Sequence, residues 1–226
     1  MTGLLRRSEL ALPACNDHMF AKGASCGADL VFLDLEDATP VSLKVESRAK
    51  AIRALNELDW GHTARAIRIN GLDTPWCHDD LIEVVTGARE NLDTVVIPKA
   101  LTGRDVWWVD VMLTQLEEKL GLTKKIRLEV LIEEVEGLAN AEEIVRASPR
   151  LDAVIFGVGD FSLSQGARVD TNFDPLDPYP GDFWAYARNK VMVAARIAGI
   201  DAIDSPYPDY QNLAGYEAEA RRSSLY

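Results

Sequence analysis

The sequence has 226 residues, of which 47% are hydrophobic and 27% charged, a composition typical of a globular domain with a substantial core. Its formal net charge of −12 argues against nucleic acid and anionic membrane as main partners, although a local basic cluster can still hold an anionic small molecule. The three cysteines form no C-x-x-C pair and no apolar run is long enough to cross a bilayer, which together favour a cytoplasmic protein.

Short apolar runs recur along the chain, and an amphipathic stretch follows each of them. We predict seven strands, at residues 9–12, 30–35, 66–70, 94–98, 127–132, 153–157 and 202–204. Several of these runs consist almost entirely of Val, Ile and Leu, as expected of parallel strands that are buried on both faces.

The stretches between these runs have the periodicity of helices. Thr102 and Asp105 form the pattern of a capping box, and apolar residues then recur at spacings of three and four over residues 106–120. Alternating strands and helices predict a parallel sheet, either doubly wound or closed into a barrel. Because the chain lacks the G-x-G-x-x-G motif that opens Rossmann folds, the sequence favours a barrel.

We therefore predict a single α/β domain over residues 1–226, a (β/α)8 TIM barrel in which seven strand–helix units are recognisable. A closed barrel of this type needs one strand more. The eighth strand and the C-terminal cap are missing before Tyr226, so we expect the native protein to continue past that residue.

Charged residues lie in the last residues of five of the predicted strands or directly after them, at the end where barrel active sites lie. They are Asp34, Glu36, Asp37, Arg68, Lys99, Glu133, Glu134 and Asp160. Glu133 and Asp160 form a predicted Mg²⁺ site, with Mn²⁺ as the alternative ion, because Mg²⁺ is usually held by one or two carboxylates plus water and substrate oxygens. Either acid alone could equally be a solvated loop residue, but the glycines beside Asp160 let a ligand approach the backbone.

Two basic residues on the same rim suggest different chemistry. Arg68 is the predicted anion clamp, since a guanidinium binds a carboxylate through two parallel hydrogen bonds. Its alternative role is a salt bridge to Asp34, Glu36 or Asp37, and both roles can coexist. Lys99 suggests a Schiff-base aldolase, which needs a lysine of lowered pKa. The many carboxylates nearby would raise that pKa instead, so this alternative is disfavoured.

The motifs on this rim resemble those of the HpcH/HpaI aldolase and citrate lyase β-subunit family, and malyl-CoA lyase in particular. The most specific segment is 31–38, Val-Phe-Leu-Asp-Leu-Glu-Asp-Ala. Further matching segments are residues 7–13, 68–74, 97–99, 132–134, 147–151, 156–160 and 204–210. The resemblance covers essentially the whole sequence. It implies a Mg²⁺-dependent homotrimer or homohexamer that cleaves or forms a carbon–carbon bond beside a CoA thioester.

The resemblance also implies roles for individual residues. Glu133 and Asp160 match the magnesium ligands, and Arg68 matches the arginine that holds an α-keto acid. The acids that match the surroundings of the metal are Glu36 and Asp37. The residues predicted to contact substrate are Arg68, Lys22 (at the CoA phosphates), Lys99, Gly159 and Asp160.

Three features depart from the family pattern. Asn16 stands where malyl-CoA lyases often have an arginine for CoA, and the loop at 165–182 is short and rich in Asp and Pro. The third is the missing strand at the C-terminus, in the region where the family places a proton-transferring carboxylate that acts across a subunit interface.

The predicted reaction is therefore the cleavage or formation of a 3-hydroxyacyl-CoA, such as malyl-CoA or β-methylmalyl-CoA, to or from glyoxylate and acetyl-CoA or propionyl-CoA. One alternative keeps the fold and changes the chemistry, giving a malyl-CoA thioesterase or a citramalyl-CoA lyase. Another is a non-catalytic CoA-binding or scaffold subunit. The missing strand and Asn16 favour that alternative slightly, whereas the set of Arg68, Glu133 and Asp160 argues against it.

Overall fold

The computed structural model describes residues 4–226, which form a seven-stranded parallel sheet in the order β1-β2-β3-β4-β5-β6-β7. Every predicted strand is present, with ends shifted by a few residues. The strands are β1 Glu9–Pro13, β2 Leu30–Asp34, β3 Ala64–Arg68, β4 Thr94–Ile97, β5 Arg127–Ile132, β6 Leu151–Phe156 and β7 Asp201–Ile203. Strands β1 and β7 are the edges of this sheet, and within residues 4–226 no eighth strand joins them.

Helices connect successive strands, as parallel pairing requires. They are α1 Phe20–Ala24, α2 Lys44–Glu57, α3 Cys77–Ala88, α4 Gly103–Leu120, α5 Val135–Ala139, α6 Ala141–Ile144, α7 Val158–Gln165, α8 Ala185–Ala198 and α9 Leu213–Ser223. The predicted capping box is confirmed at the start of α4, where Thr102 and Asp105 each bind the other's backbone N–H. Among the residues described, no helix combines the length and the apolar character needed to cross a membrane.

The apolar side chains divide into two clusters because successive strand residues point to opposite faces of the sheet. The larger cluster lies between the sheet and the helices and contains most of the buried Val, Ile and Leu residues. The smaller one fills the inside of the curled sheet and contains Leu30, Ala64, Ala66, Val96, Leu131 and Ile155. Asp34, Arg68 and Glu133 lie an even number of residues after Leu30, Ala64 and Leu131, respectively. The strand alternation therefore directs these three side chains to the inner face at the carboxyl ends of the strands.

A buried polar cluster lies at the opposite, amino end of the sheet. The guanidinium of Arg6 donates to Glu129 at 2.7 Å and reaches Asp201 at 3.3 Å, so it connects β5 with the edge strand β7. Glu9 lies 3.9 Å from the same guanidinium, and its Oε1 accepts no hydrogen bond. Burial raises the pKa of Glu9 to about 9, and the charge of Glu129 adds to the rise.

This raised pKa predicts how the stability depends on pH. Between about pH 4.5 and 9 the folded protein holds a proton on Glu9 that the unfolded chain releases, so stability falls as the pH rises. Glu9→Gln should remove this loss, making the variant more stable than the wild type near pH 9, by on the order of a few kcal/mol, and about equal to it near pH 5.

Urea unfolding at the two pH values measures the difference, and Glu57→Gln, which changes an exposed glutamate, is the control. Equal stability of wild type and Glu9→Gln near pH 9 would show that Glu9 is not held protonated.

Candidate active site

Asp34 and Arg68 form the centre of the rim at the carboxyl ends of the strands. Arg68 donates from Nε to Asp34 Oδ1 at 2.8 Å and from Nη2 to Asp34 Oδ2 at 2.5 Å, the two-bond geometry that a guanidinium makes with a carboxylate. Asp34 is almost fully buried, and it also accepts the backbone N–H groups of Glu36 and Ala38. The alternative role predicted for Arg68, a salt bridge to a neighbouring acid, is thus present. Its Nη1 has no hydrogen-bond partner among residues 4–226 and is the nitrogen available to a ligand.

Lys99 lies among three carboxylates, two from the loop after β2 and one from the first turn of α7. Its Nζ is 2.8 Å from Asp37 Oδ2 and 3.2 Å from Asp160 Oδ2, and it donates to Glu36. Burial by itself would lower the pKa of Lys99, but these hydrogen bonds and charges outweigh it and raise the pKa above its ordinary value. A Schiff base requires the opposite shift. The disfavoured aldolase mechanism through Lys99 therefore has no support in the geometry.

The same contacts act on the acids. Burial raises the pKa of Glu36 and of Asp160, although the charge of Lys99 opposes the rise in both. Asp37 is more exposed, and there the hydrogen bond from Lys99 prevails over burial and lowers the pKa. Lys99 therefore serves as the internal cation that keeps this group of acids together.

Glu133 directly follows β5 and is buried beneath this group. Its Oε1 accepts the backbone N–H of Lys99 at 2.9 Å, whereas Oε2 has no hydrogen-bond partner among residues 4–226. Burial raises the pKa of Glu133 to about 8, and the nearby charges of Asp160 and Glu36 add to the rise against the effect of Arg68. An ionised Glu133 therefore requires a further positive charge close by.

A divalent cation fits this requirement. Glu133 and Asp160 supply hard carboxylate oxygens, of which Glu133 Oε2 is not otherwise bound, and Mg²⁺ is commonly held by one or two carboxylates with water and substrate completing the shell. In the part of the chain from residue 4 to 226, no group of three or more acids, histidines and cysteines is arranged to enclose a metal. A pair of carboxylates would leave the remaining positions around a bound Mg²⁺ to substrate and water.

Gly157 makes room for Glu133. A Cβ atom at position 157 would lie 2.5 Å from Glu133 Oε2 and 2.6 Å from Glu133 Cβ, closer than non-bonded atoms approach. Gly157→Ala should push the carboxylate aside, weaken Mg²⁺ binding and lower kcat/KM by about a hundredfold, the typical cost of a displacement near 1 Å. Calorimetric titration with Mg²⁺ and steady-state kinetics measure the two effects.

The matched control is Gly121→Ala, which has open space around its Cβ but a left-handed backbone. It should cost stability without changing Mg²⁺ affinity. Unchanged Mg²⁺ affinity in Gly157→Ala would show that Glu133 is not a metal ligand.

A second buried network holds the loop that carries Glu36. The ammonium of Lys44 donates to the backbone carbonyls of Leu35 and Glu36, at 3.0 and 2.9 Å, and to Asn70 at 2.5 Å. Asn70 in turn donates to Asp80 on α3. Lys44 could not be predicted from the sequence, because nothing in its local pattern distinguishes it from an ordinary solvated helix residue.

The structure brings together most of the residues that the sequence predicted for the site. Glu36, Asp37, Arg68, Lys99, Glu133 and Asp160 form one connected group through the contacts described above. Gly159 adjoins Asp160 in the first turn of α7. Lys22 lies exposed on α1, and no hydrogen bond or ion pair joins its side chain to this group within residues 4–226. Its contact with CoA phosphates stays a prediction.

Comparison with known proteins gives the family. The profile of HpcH/HpaI aldolase/citrate lyase matches residues 7–224. The chain belongs to this family. The L-malyl-CoA/beta-methylmalyl-CoA lyase of Cereibacter sphaeroides is 37% identical over 227 residues, which span 96% of this chain and 71% of that enzyme.

Two further proteins are similar to this chain. The malyl-CoA/beta-methylmalyl-CoA/citramalyl-CoA lyase of Chloroflexus aurantiacus is 31% identical, over 87% of this chain and 61% of that protein. Among solved structures, protein CitE from Mycobacterium tuberculosis, in complex with magnesium, acetoacetate and coenzyme A, superimposes with a TM-score of 0.76 at 26% identity. That match covers 95% of this chain and 71% of the other. The predicted membership of the family is thus confirmed.

Proposed function

We propose that this protein is a Mg²⁺-dependent carbon–carbon lyase that cleaves or forms a 3-hydroxyacyl-CoA such as malyl-CoA or β-methylmalyl-CoA. The products of cleavage are glyoxylate and acetyl-CoA or propionyl-CoA. The observation that carries the proposal is the pair Glu133 and Asp160 beside Arg68, on one rim of a chain that is 37% identical to a lyase of this name. The names of the relatives, and the magnesium and coenzyme A in the CitE complex, support the same assignment.

Each residue of the site has a defined part in this reaction. Glu133 and Asp160 would hold the metal, and when bound it would supply Lewis-acid polarisation of the keto-acid carbonyl. The Nη1 group of Arg68 would bind the carboxylate of the keto acid, oriented by the two hydrogen bonds that Arg68 makes to Asp34. Charge builds up on the enolate of the acyl-CoA, and a cationic site stabilises such charge.

The remaining residues position these groups. Lys99 holds Glu36 and Asp37 close to Asp160, and Lys44 fixes the backbone of the loop that carries them. Lys99 and Gly159 would line the substrate pocket, and Lys22 would meet the CoA phosphates. The carboxylate that transfers the proton is, by resemblance to the family, contributed from the C-terminal region across a subunit interface.

The decisive experiment is a cleavage assay over a small panel of 3-hydroxyacyl-CoA thioesters, with and without Mg²⁺. A lyase releases glyoxylate and a shorter acyl-CoA, whereas a thioesterase releases free malate and CoA without glyoxylate. Citramalyl-CoA in the panel tests the activity that is part of the name of the Chloroflexus relative. If CoA thioesters bind and none is cleaved, the protein is a binding or scaffold subunit.

We also propose the larger assembly in which this site works. An eighth parallel strand between β7 and β1 would pair both edges of the sheet and close a single-domain (β/α)8 barrel. A homotrimer or homohexamer would bring the proton-transferring carboxylate of one subunit to the rim of the next, and light scattering of the purified protein measures this state. The three free cysteines support a cytoplasmic location.

A further inference from the structure

The connection between α7 and α8 places an aromatic ring directly against the active-site rim. The tip of the Phe173 ring lies in the direction in which a side chain on Gly159 would project, because a Cβ atom built on that glycine would lie 3.2 Å from Phe173 Cζ. Gly159 immediately precedes Asp160. The sequence predicts Gly159 to be a place where a ligand can approach the backbone. Phe173 fills the space beside this glycine, and its ring also packs against the apolar cluster between the sheet and the helices.

Hydrogen bonds hold the backbone on both sides of Phe173. The Asp170 carboxylate accepts the backbone N–H groups of Asn172 and Asp174, and Phe173 itself has φ 65°, a left-handed conformation that is rare for an aromatic residue. The indole of Trp184 donates to the carbonyl of Phe173 at 3.0 Å. Trp184 is buried and packs edge-on against Phe161, in the same helix as Asp160. The backbone that carries the Phe173 ring is therefore held in one conformation.

Its position on the rim indicates which part of the substrate it faces. Arg68 ends β3, whereas Gly159 and Asp160 follow β6, so two strands separate Phe173 from the proposed clamp for the keto-acid carboxylate. Phe173 also lines a cavity of about 140 Å³, whose wall is largely polar and includes Arg188 and Glu219.

We propose that Phe173 limits the size of the acyl group that the enzyme accepts, by filling the space beside Gly159 that a larger alkyl substituent on the acyl carbon would need. The inference rests on the proposed lyase function and adds a specificity-determining residue to it. It predicts that shortening this side chain broadens the acyl range and leaves the keto-acid range unchanged.

The test compares wild type, Phe173→Leu and Phe173→Ala in the condensation of glyoxylate with acetyl-, propionyl-, butyryl- and hexanoyl-CoA. The ratio of kcat/KM for butyryl-CoA to that for acetyl-CoA should rise about tenfold or more in Phe173→Ala, the usual discrimination per one or two methylenes, and less in Phe173→Leu. Affinity for the same thioesters, measured by calorimetry, should follow the same order. Phe173→Leu keeps most of the packing and remains informative if Phe173→Ala does not fold.

A double variant separates this role from a merely structural one. Gly159→Ala added to Phe173→Ala puts a methyl group back into the space that was opened, so the ratio should fall back towards the wild-type value. Tyr179→Ala is the matched control, because that ring lies in the same connection, is half exposed and packs on Phe183. It should leave the ratio unchanged.

The outcomes distinguish the two proposals. An unchanged acyl ratio in well-folded, active Phe173 variants would overturn the role of Phe173 and leave the lyase function standing. A broadened range for keto acids, with pyruvate in place of glyoxylate, would also overturn it. Absence of lyase activity in the wild type would overturn the proposed function, and the specificity role with it.

Discussion

Glu133→Gln and Asp160→Asn are each expected to abolish Mg²⁺-dependent turnover while leaving the fold intact. Both changes keep the shape of the side chain and remove its charge, so the backbone N–H of Lys99 can still donate to position 133. A metal Lewis acid contributes several kcal/mol to transition-state stabilisation, and each 1.4 kcal/mol corresponds to about tenfold in rate. The loss in kcat should therefore be about a thousandfold or more.

Calorimetric titration with Mg²⁺ should show that binding is lost together with turnover. Glu134→Gln is the control, since it makes the same chemical change one residue further along the chain, where the side chain takes no part in the group of acids. Near-normal Mg²⁺-dependent turnover in either site variant would show that the ligand assignment is wrong.

Arg68→Lys is expected to lower kcat/KM for condensation with glyoxylate by about a hundredfold, although it conserves the charge. A lysine has no planar fork, so it cannot keep both hydrogen bonds to Asp34 and at the same time present a nitrogen to the keto acid. The carboxylate would bind more weakly and in a looser pose, and misplacement near 1 Å costs about this factor. Both KM for glyoxylate and kcat should change.

Arg65→Lys is the control on the same strand, since Arg65 pairs with Asp93 away from the rim. It should leave both constants close to those of the wild type. A change confined to KM of the acyl-CoA would place Arg68 at the nucleotide end of the substrate and contradict its assignment as the keto-acid clamp.

The positions of the strands could be predicted well because the relevant signals are local. Runs of Val, Ile and Leu mark strands that are buried on both faces. The capping box, a motif of only four residues that begins at Thr102, marks the start of α4. The ends were less accurate: β3 and β6 each begin two residues earlier than predicted. Strand ends depend on pairing with neighbouring strands that are distant in sequence, and local composition carries little information about that pairing.

The partners of the charged residues could not be predicted in the same way. Arg68 contacts Asp34 across 34 residues, and Lys99 contacts Asp37 across 62. The sequence narrowed the partners of Arg68 to Asp34, Glu36 or Asp37 without choosing among them, and it named no single partner for Lys99. The buried polar cluster at the amino end of the sheet, in which Arg6 contacts Glu129 across 123 residues, has no local signal in the sequence.

The sequence by itself determined the order of strands and helices, and it determined that Glu133, Asp160, Arg68 and Lys99 lie at one end of the sheet. The reason is that parallel strands all end at the same rim, so a residue that follows a strand has its place fixed by the strand period alone. Only the tertiary structure decided that Asp34 accepts two hydrogen bonds from Arg68, that Gly157 makes room for Glu133, and that Phe173 lies beside Gly159. Those contacts depend on side-chain packing between segments that meet only once the sheet has curled.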